Sequence, residues 1–137
     1  MAYWLVKSEP FKYSWDQFMA DGRTHWDGVR NHQASNNLKA MRIGDRAFFY
    51  HSNEGLEIVG VAEVVREYYP DPSDESGRFG MVDFRPVTPV KTPVTLKQMK
   101  ADPILGEMQL IRQSRLSVCP VGDEQWAHAC RLAGITA

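Results

Sequence analysis

Arg46-Ala47-Phe48-Phe49-Tyr50-His51, followed by Ser52-Asn53-Glu54-Gly55 and a valine-rich run from Leu56 to Tyr69, is the stretch that decides the fold. Residues 46–51 carry apolar or aromatic side chains on both alternating faces, so they read as a central strand covered on both sides. Asn53-Glu54-Gly55 supplies turn chemistry for a hairpin, and Leu56 to Tyr69 returns as a long strand. A strand of that length has to bend or coil. Gly60 inside it marks a bulge or a close backbone approach.

Outward from this hairpin, Tyr3-Trp4-Leu5-Val6 reads as a short buried strand that is over by Pro10, since proline cannot donate to a ladder. Met81 to Val87 pairs back as another strand, with Pro86 near its end. Leu110 to Val118 reads as the last strand, and Pro120 ends it. Between them, Pro70 to Gly77 holds two prolines and three acids and reads as an exposed connection. Ser14 with Gln17 and Thr95 with Gln98 have capping-box form, and each starts a short helix, the first stopped by Gly22. Ala34, Leu38 and Met41 share a helical face in a segment ending near Arg42 and Ile43. Asp123 is placed to cap a terminal helix with Trp126, Cys130 and Ala133 as its buried stripe and Gly134 as its stop. Five or six mostly antiparallel strands with short inserted helices make an α+β chain, with a small barrel the natural closure for a bent sheet.

Composition narrows the function classes. The 137 residues are 43% hydrophobic and 24% charged, the balance of a single globular domain spanning 1–137. Sixteen Lys and Arg against seventeen Asp and Glu give a formal net charge of -1, so a surface that grips duplex DNA non-specifically is not indicated and any nucleic-acid contact is local. Cys119 and Cys130 have neither metal-ligand spacing nor the density of a disulfide scaffold; they read as reduced thiols of an intracellular, cytoplasmic protein. No apolar run approaches membrane-spanning length, and Met1 leads directly into a strand, so a soluble, unprocessed monomer without membrane contact is expected. His25, His32, His51 and His128 show no metal spacing, and no metal or cofactor is expected. There is no G-x-S-x-G elbow, and missing glycine fingerprints exclude Rossmann and P-loop units. His51 beside Ser52 is poor dyad geometry, because adjacent strand residues face opposite ways; His51 is open to a core role or a ligand contact.

The chemistry concentrates in Trp26-Asp27-Gly28-Val29-Arg30-Asn31-His32-Gln33-Ala34-Ser35-Asn36-Asn37-Leu38-Lys39, which packs an aromatic, a cation and many neutral hydrogen-bonding groups together. Gly28 permits a tight turn from which Trp26 and Arg30 point inward. Aromatic faces interleaved with neutral donors and acceptors are what base recognition needs: a surface to stack on, and amides or hydroxyls to read a base edge. Trp26 and Tyr50 are the stacking candidates, with Trp4, Trp15 and Trp126 assigned to the core. Asn31, Ser52, Asn53 and Gln113 are the edge-reading candidates.

These residues carry a resemblance. Residues 3–10 (YWLVKSEP), 26–31 (WDGVRN), Gly44-Asp45, Tyr50-His51-Ser52, residues 69–72 (YPDP) and residues 112–118 (RQSRLSV) look like the signature blocks of EVE-domain proteins, the thymocyte nuclear protein-like group of the PUA-like superfamily. The blocks occur in the family's order and span nearly the whole chain. The resemblance implies a PUA-like pseudobarrel with helices around it, recognition of a modified base such as methylated cytosine in DNA or RNA, and no enzymatic activity. Both readings build the base pocket from Ser8 and Pro10 at the exit of the first strand, Trp26, Val29 and Asn31 in the lip, Tyr50, His51, Ser52 and Asn53 at the end of the central strand, and Gln113. Lys7, Arg30, Lys39, Arg42, Arg112 and Arg115 are the candidate phosphate contacts. A small-molecule or nucleotide-processing enzyme using the same pocket is the alternative. It would require an acid or histidine of perturbed pKa there.

Overall fold

The computed structural model describes the whole chain, Met1–Ala137. The central strand, β3, runs Arg46–His51, and its residues Ala47 to Tyr50 are buried. Phe48 and Phe49 leave opposite faces and both are fully buried, as the two-faced pattern requires. Phe48 stacks on Trp126, with ring centroids 3.9 Å apart, in a C-terminal helix running Asp123–Ala133. Phe49 is enclosed by Trp15 at 5.3 Å and Phe18 at 5.4 Å, both from the first helix, α1 (Trp15–Asp21), and by Trp26 at 5.7 Å. One strand therefore organises a helix layer on each face.

The other strands are β1 (Tyr3–Ser8), β2 (Thr24–His25), β4 (Glu57–Pro70), β5 (Gly80–Thr95) and β6 (Val118–Val121), in the sheet order β2-β5-β4-β3-β1-β6. All neighbours are antiparallel except β1 and β3, which run parallel with Leu5 opposite Phe48. No ladder joins β2 to β6, so the α+β sheet is mixed, six-stranded and not closed into a barrel. Its coiling comes from register shifts between β4 and β5 at four places, beginning between Ile58 and Gly60. Gly60 is a close approach: a Cβ there would sit 2.4 Å from the Trp15 ring.

The remaining helices are α2 (His32–Ala40), α3 (Leu96–Ala101) and α4 (Gln109–Arg112), with Asp123–Ala133 as α5. Ser14 accepts from the Gln17 amide and Gly22 closes α1 in the left-handed region, while Thr95 and Gln98 complete a capping box at α3. Other boundaries differ from the sequence reading. α2 stops at Ala40, because Met41 turns extended to enter the core. Gly122, its amide bonded to the Gln125 side chain at 2.9 Å, precedes α5 and leaves Asp123 in the first turn. β5 continues past Val87 through Pro89 and Pro93, since β2 pairs only with Asp83 and Phe84 and the outer side beyond them is a free edge. The segment read as a last strand instead lies in α4 through Arg112, where Leu110 is the buried residue, and in a turn that leads to Val118, the first residue of β6. The last strand is β6 with Pro120 inside it, tolerated because β6 is the sheet edge. No helix is long and apolar enough to cross a membrane.

Candidate nucleic-acid interface

Because β1 and β3 are parallel, both deliver their C-terminal ends to one side of the sheet, with Ser8 opposite His51 and the Ser52 amide donating to the Ser8 carbonyl at 2.9 Å. The loops that follow diverge and leave a crevice between them, the usual consequence of strand ends that share a direction. Two further segments wall it. The Lys7 amide donates to the Ser117 carbonyl at 3.0 Å and the Lys7 ammonium to the Ser114 carbonyl at 2.8 Å, which fixes the stretch before β6. The lip after β2 is held by the Trp26 amide on the Val82 carbonyl at 2.8 Å, and Gly28, at φ 74°, turns it inward. The cleft so enclosed is ≈ 730 Å³, and only three of its 18 lining residues are hydrophobic.

Two buried acids brace this lip from behind. The Asp71 side chain accepts from the Gly28 amide at 2.9 Å, the Arg30 guanidinium at 3.1 Å and both the amide and hydroxyl of Ser73 at 2.8 and 2.6 Å. Burial alone would raise its pKa; the hydrogen bonds from Ser73, Gly28 and Arg30 outweigh it and pull the carboxyl down to about 2. Asp83 receives two guanidinium nitrogens of Arg23, at 2.8 and 3.2 Å, contacts His25 Nδ1 at 3.0 Å and takes the Tyr69 hydroxyl proton donor. Its pKa is lowered too, those hydrogen bonds overcoming burial, while burial and Asp83 push Tyr69 up to about 12. Both acids are thus fixed anions that hold cations in place.

In front of them the cleft presents Tyr13, Trp26 and Val29 as its apolar surface and a set of unclaimed polar groups. Asn31 spends its carbonyl oxygen on capping α2 at the Ala34 amide, which leaves its NH2 available. Asn53 spends its NH2 on Glu9 at 2.7 Å, which leaves its oxygen. The hydroxyls of Ser52, Ser114 and Ser117 add further donors and acceptors at the wall. Lys7, Lys12, Arg30 and Arg115 face Glu9 and Asp27 there, so the cleft is positive on a chain of net charge -1. An aromatic floor, neutral edge readers and a basic rim can accept a planar heterocycle attached to an anionic backbone.

Residues 2–132 match the model of the EVE domain. The chain belongs to the EVE-domain family. It is 36% identical to rat thymocyte nuclear protein 1 over 90% of this chain and 70% of the rat protein. Among solved structures it is similar to Rpa0253 from Rhodopseudomonas palustris, at 57% identity and a TM-score of 0.93 over 98% of this chain and 94% of that one. It is likewise similar, at 33% identity and a TM-score of 0.90 over the whole of both chains, to human THYN1 crystallised in complex with DNA containing 5-methylcytosine.

In this EVE domain Ser8, Trp26, Val29, Asn31, Ser52 and Asn53 line the cleft, as do Lys7, Arg30 and Arg115. Trp26 is nevertheless a core residue, 9% exposed and edge-on to both Phe49 and Phe84, so it is the floor of the site and not an isolated lip residue. The other sequence candidates lie elsewhere. Tyr50 shares the inward face of Phe48 and is 2% exposed, which leaves no ring surface for a ligand. His51 uses Nε2 to accept the Trp15 amide at 3.1 Å, satisfying an orphan N–H of the first turn of α1, and burial lowers its pKa; it is a neutral structural group. Pro10 is outside the lining. Lys39 lies over Tyr68 at 5.4 Å, and Arg42 bonds the Lys39 and Met41 carbonyls. Arg112 and Gln113 belong to an adjoining groove, displaced by α4 from the strand position the sequence suggested. The reading missed Lys12, Thr24 and His25 in the lining, and Asp71 and Asp83 behind it. Asp71-Pro72-Ser73 does carry a local signal: an Asp two residues before a Ser favours a turn closed on its own carboxylate.

Proposed function

We propose that this EVE domain is a non-catalytic reader of modified bases, taking one unpaired or extruded base of DNA or RNA into the cleft, with 5-methylcytosine as the leading ligand. The observation that carries this is the pairing of an aromatic floor, Trp26, with the unclaimed amide and hydroxyl groups of Asn31, Asn53, Ser52 and Ser117 inside a basic rim. The human relative's complex supports the choice of ligand. A base lying on the floor meets Trp26 and Val29, and a methyl group buried against them is worth ~0.8 kcal/mol, about fourfold in affinity. Stacking supplies most of the remaining affinity, and hydrogen bonds to the base edge its selectivity.

The cleft supports binding over chemistry. Asp71 and Asp83 are held as carboxylates by their donors, His51 is committed to the Trp15 amide, and His25, the histidine of the lining, has its Nδ1 engaged by Asp83 and the Tyr69 hydroxyl, so neither acid is poised near neutrality as a general acid and both histidines have a structural contact. The 1–137 chain acts in this reading as one domain and as a monomer, within the cell, where Cys119 and Cys130 stay as the buried free thiols they are. The test is a titration of matched oligonucleotides carrying 5-methylcytosine or cytosine. A modified-base preference of about fourfold or more at every salt concentration is expected. Equal binding to both sinks the proposal, and no binding to any oligonucleotide favours a small-molecule ligand.

A further inference from the structure

A second groove, ≈ 370 Å³ and about half the size of the cleft, continues from it across a shared wall of Asn31, Ser114 and Arg115. Only one of its seven lining residues is hydrophobic, and no acid lines it. Arg112, one of its two guanidinium groups, is paired with Glu107. Arg115 has no carboxylate partner and stands exposed on the dividing wall. The Gln113 side chain is oriented by donation to Gln109 at 2.7 Å, which leaves its oxygen as an acceptor and its second N–H as a donor. Its backbone is pinned on both sides, donating to the Gln109 carbonyl at 2.8 Å and accepting the Leu116 amide at 3.0 Å. Gln33, on the exposed face of the first turn of α2, brings a second amide with no partner of its own.

We propose that this groove is a second nucleotide site, holding the neighbour of the base that occupies the cleft. Gln33 and Gln113 read the edge of that neighbouring base, and Arg115, lining both spaces, takes the phosphate that links the two nucleotides. Carboxamides are suited to this because each offers a donor and an acceptor side by side, the pattern that a base edge presents. An arginine on the dividing wall is where a dinucleotide places its bridging charge. The consequence is sequence context: the protein reads a modified base together with one specific side of its flank. This inference rests on the cleft being the base site.

The test measures affinity for short single strands with one 5-methylcytosine flanked by each of the four bases, first on the 5′ side and then on the 3′ side, beside matched unmodified strands. The wild type is expected to show a spread of about fivefold or more among neighbours on one side and little on the other. In the Gln33→Ala/Gln113→Ala double variant that spread should fall below about twofold while the preference for 5-methylcytosine is unchanged. Arg115→Ala should weaken all contexts alike and reduce the salt slope by about 1. A wild type without a flank preference, or a double variant that keeps it, overturns the second site while leaving the cleft intact. The reverse result, a flank preference lost in the double variant but no preference for the modified base, supports the groove and refutes the modified-base preference, leaving the cleft as a site for an unmodified base. Absence of binding overturns both.

Discussion

Replacing Asp71 with asparagine keeps the shape of the side chain and removes the charge on which the lip is hung. A carboxyl drawn from 3.8 down to about 2 stabilises the folded state by about 2.5 kcal/mol once both states are ionised. The side chain has no exposed surface, so solvent does not screen this contribution away. Since the folded pKa is the depressed one, the stabilisation is complete above about pH 5 and disappears as the pH falls through 4 towards 2. Asp71→Asn should therefore lose about 2.5 kcal/mol at pH 7, which for a 137-residue domain lowers the melting temperature by about 8 °C. The gap to the wild type should narrow steadily on acidification and nearly close by about pH 2. Urea unfolding of both proteins at pH 7, 5 and 3 measures it. A difference below about 0.5 kcal/mol at pH 7, or one that widens in acid, would show that Asp71 is not the anion that anchors Gly28 and Arg30.

Trp26→Ala should weaken binding of the modified oligonucleotide by roughly 1–3 kcal/mol and also cost about 3–5 kcal/mol of stability, because the ring is both floor and core; an unchanged melting temperature would contradict its packing on Phe49 and Phe84. Phe48→Ala and Phe49→Ala should each cost about 3–5 kcal/mol in denaturant unfolding, and a loss under about 1 kcal/mol in either would mean that β3 is not the centre of the core. For two to three phosphate contacts, log K should fall with log salt at roughly -2 to -3, and a slope near -10 would instead require an extensive duplex interface.

The parts of this fold that were legible in the sequence are those in which one local pattern and its tertiary role agree. Phe48 and Phe49 announced a strand covered on both faces, Gly60 announced a bulge or a close approach without naming Trp15, and Ser14 and Thr95 announced their helices. What failed was decided by neighbours distant in sequence. Two residues, Thr24 and His25, are too few to show a strand period, and only their pairing with Phe84 and Asp83 makes them β2. Proline as a strand stop misled at Pro120 and at Pro86, beyond which β5 runs on to Thr95, because edge position, which no local pattern records, removes the need for the missing N–H. The candidate site divides similarly. The lip from Trp26 to Asn31 was readable as a polar turn around one aromatic. Tyr50 was misassigned because alternation places it beside Phe48, and an aromatic at the end of a buried strand looks the same from sequence whether it faces a cleft or the core.

The placement of charge explains how a chain with a formal charge of -1 can present a site for a polyanion. Two of its three buried carboxylates, Asp71 and Asp83, stand behind the cleft, where they are worth most as hydrogen-bond acceptors and least as repulsive charges towards a ligand in front. Each also ties up a cation, Arg23 outside the cleft and Arg30 on its rim, so the basic rim is partly neutralised before any ligand arrives. That leaves Lys7, bonded to the Ser114 carbonyl, Lys12, in an exposed pair with Glu9, and Arg115, which has no carboxylate partner, as the charges most available to a phosphate. If the cleft takes a base as proposed, a binder with so few available charges would draw little affinity from phosphate as such and would derive it from the base, through Trp26 and the uncommitted amides and hydroxyls. Under the proposed reading, the same economy confines the electrostatic part of recognition to the wall that Arg115 occupies, between the cleft and the groove, so that a phosphate contact there would mark the register of the strand while the neutral groups on either side read it.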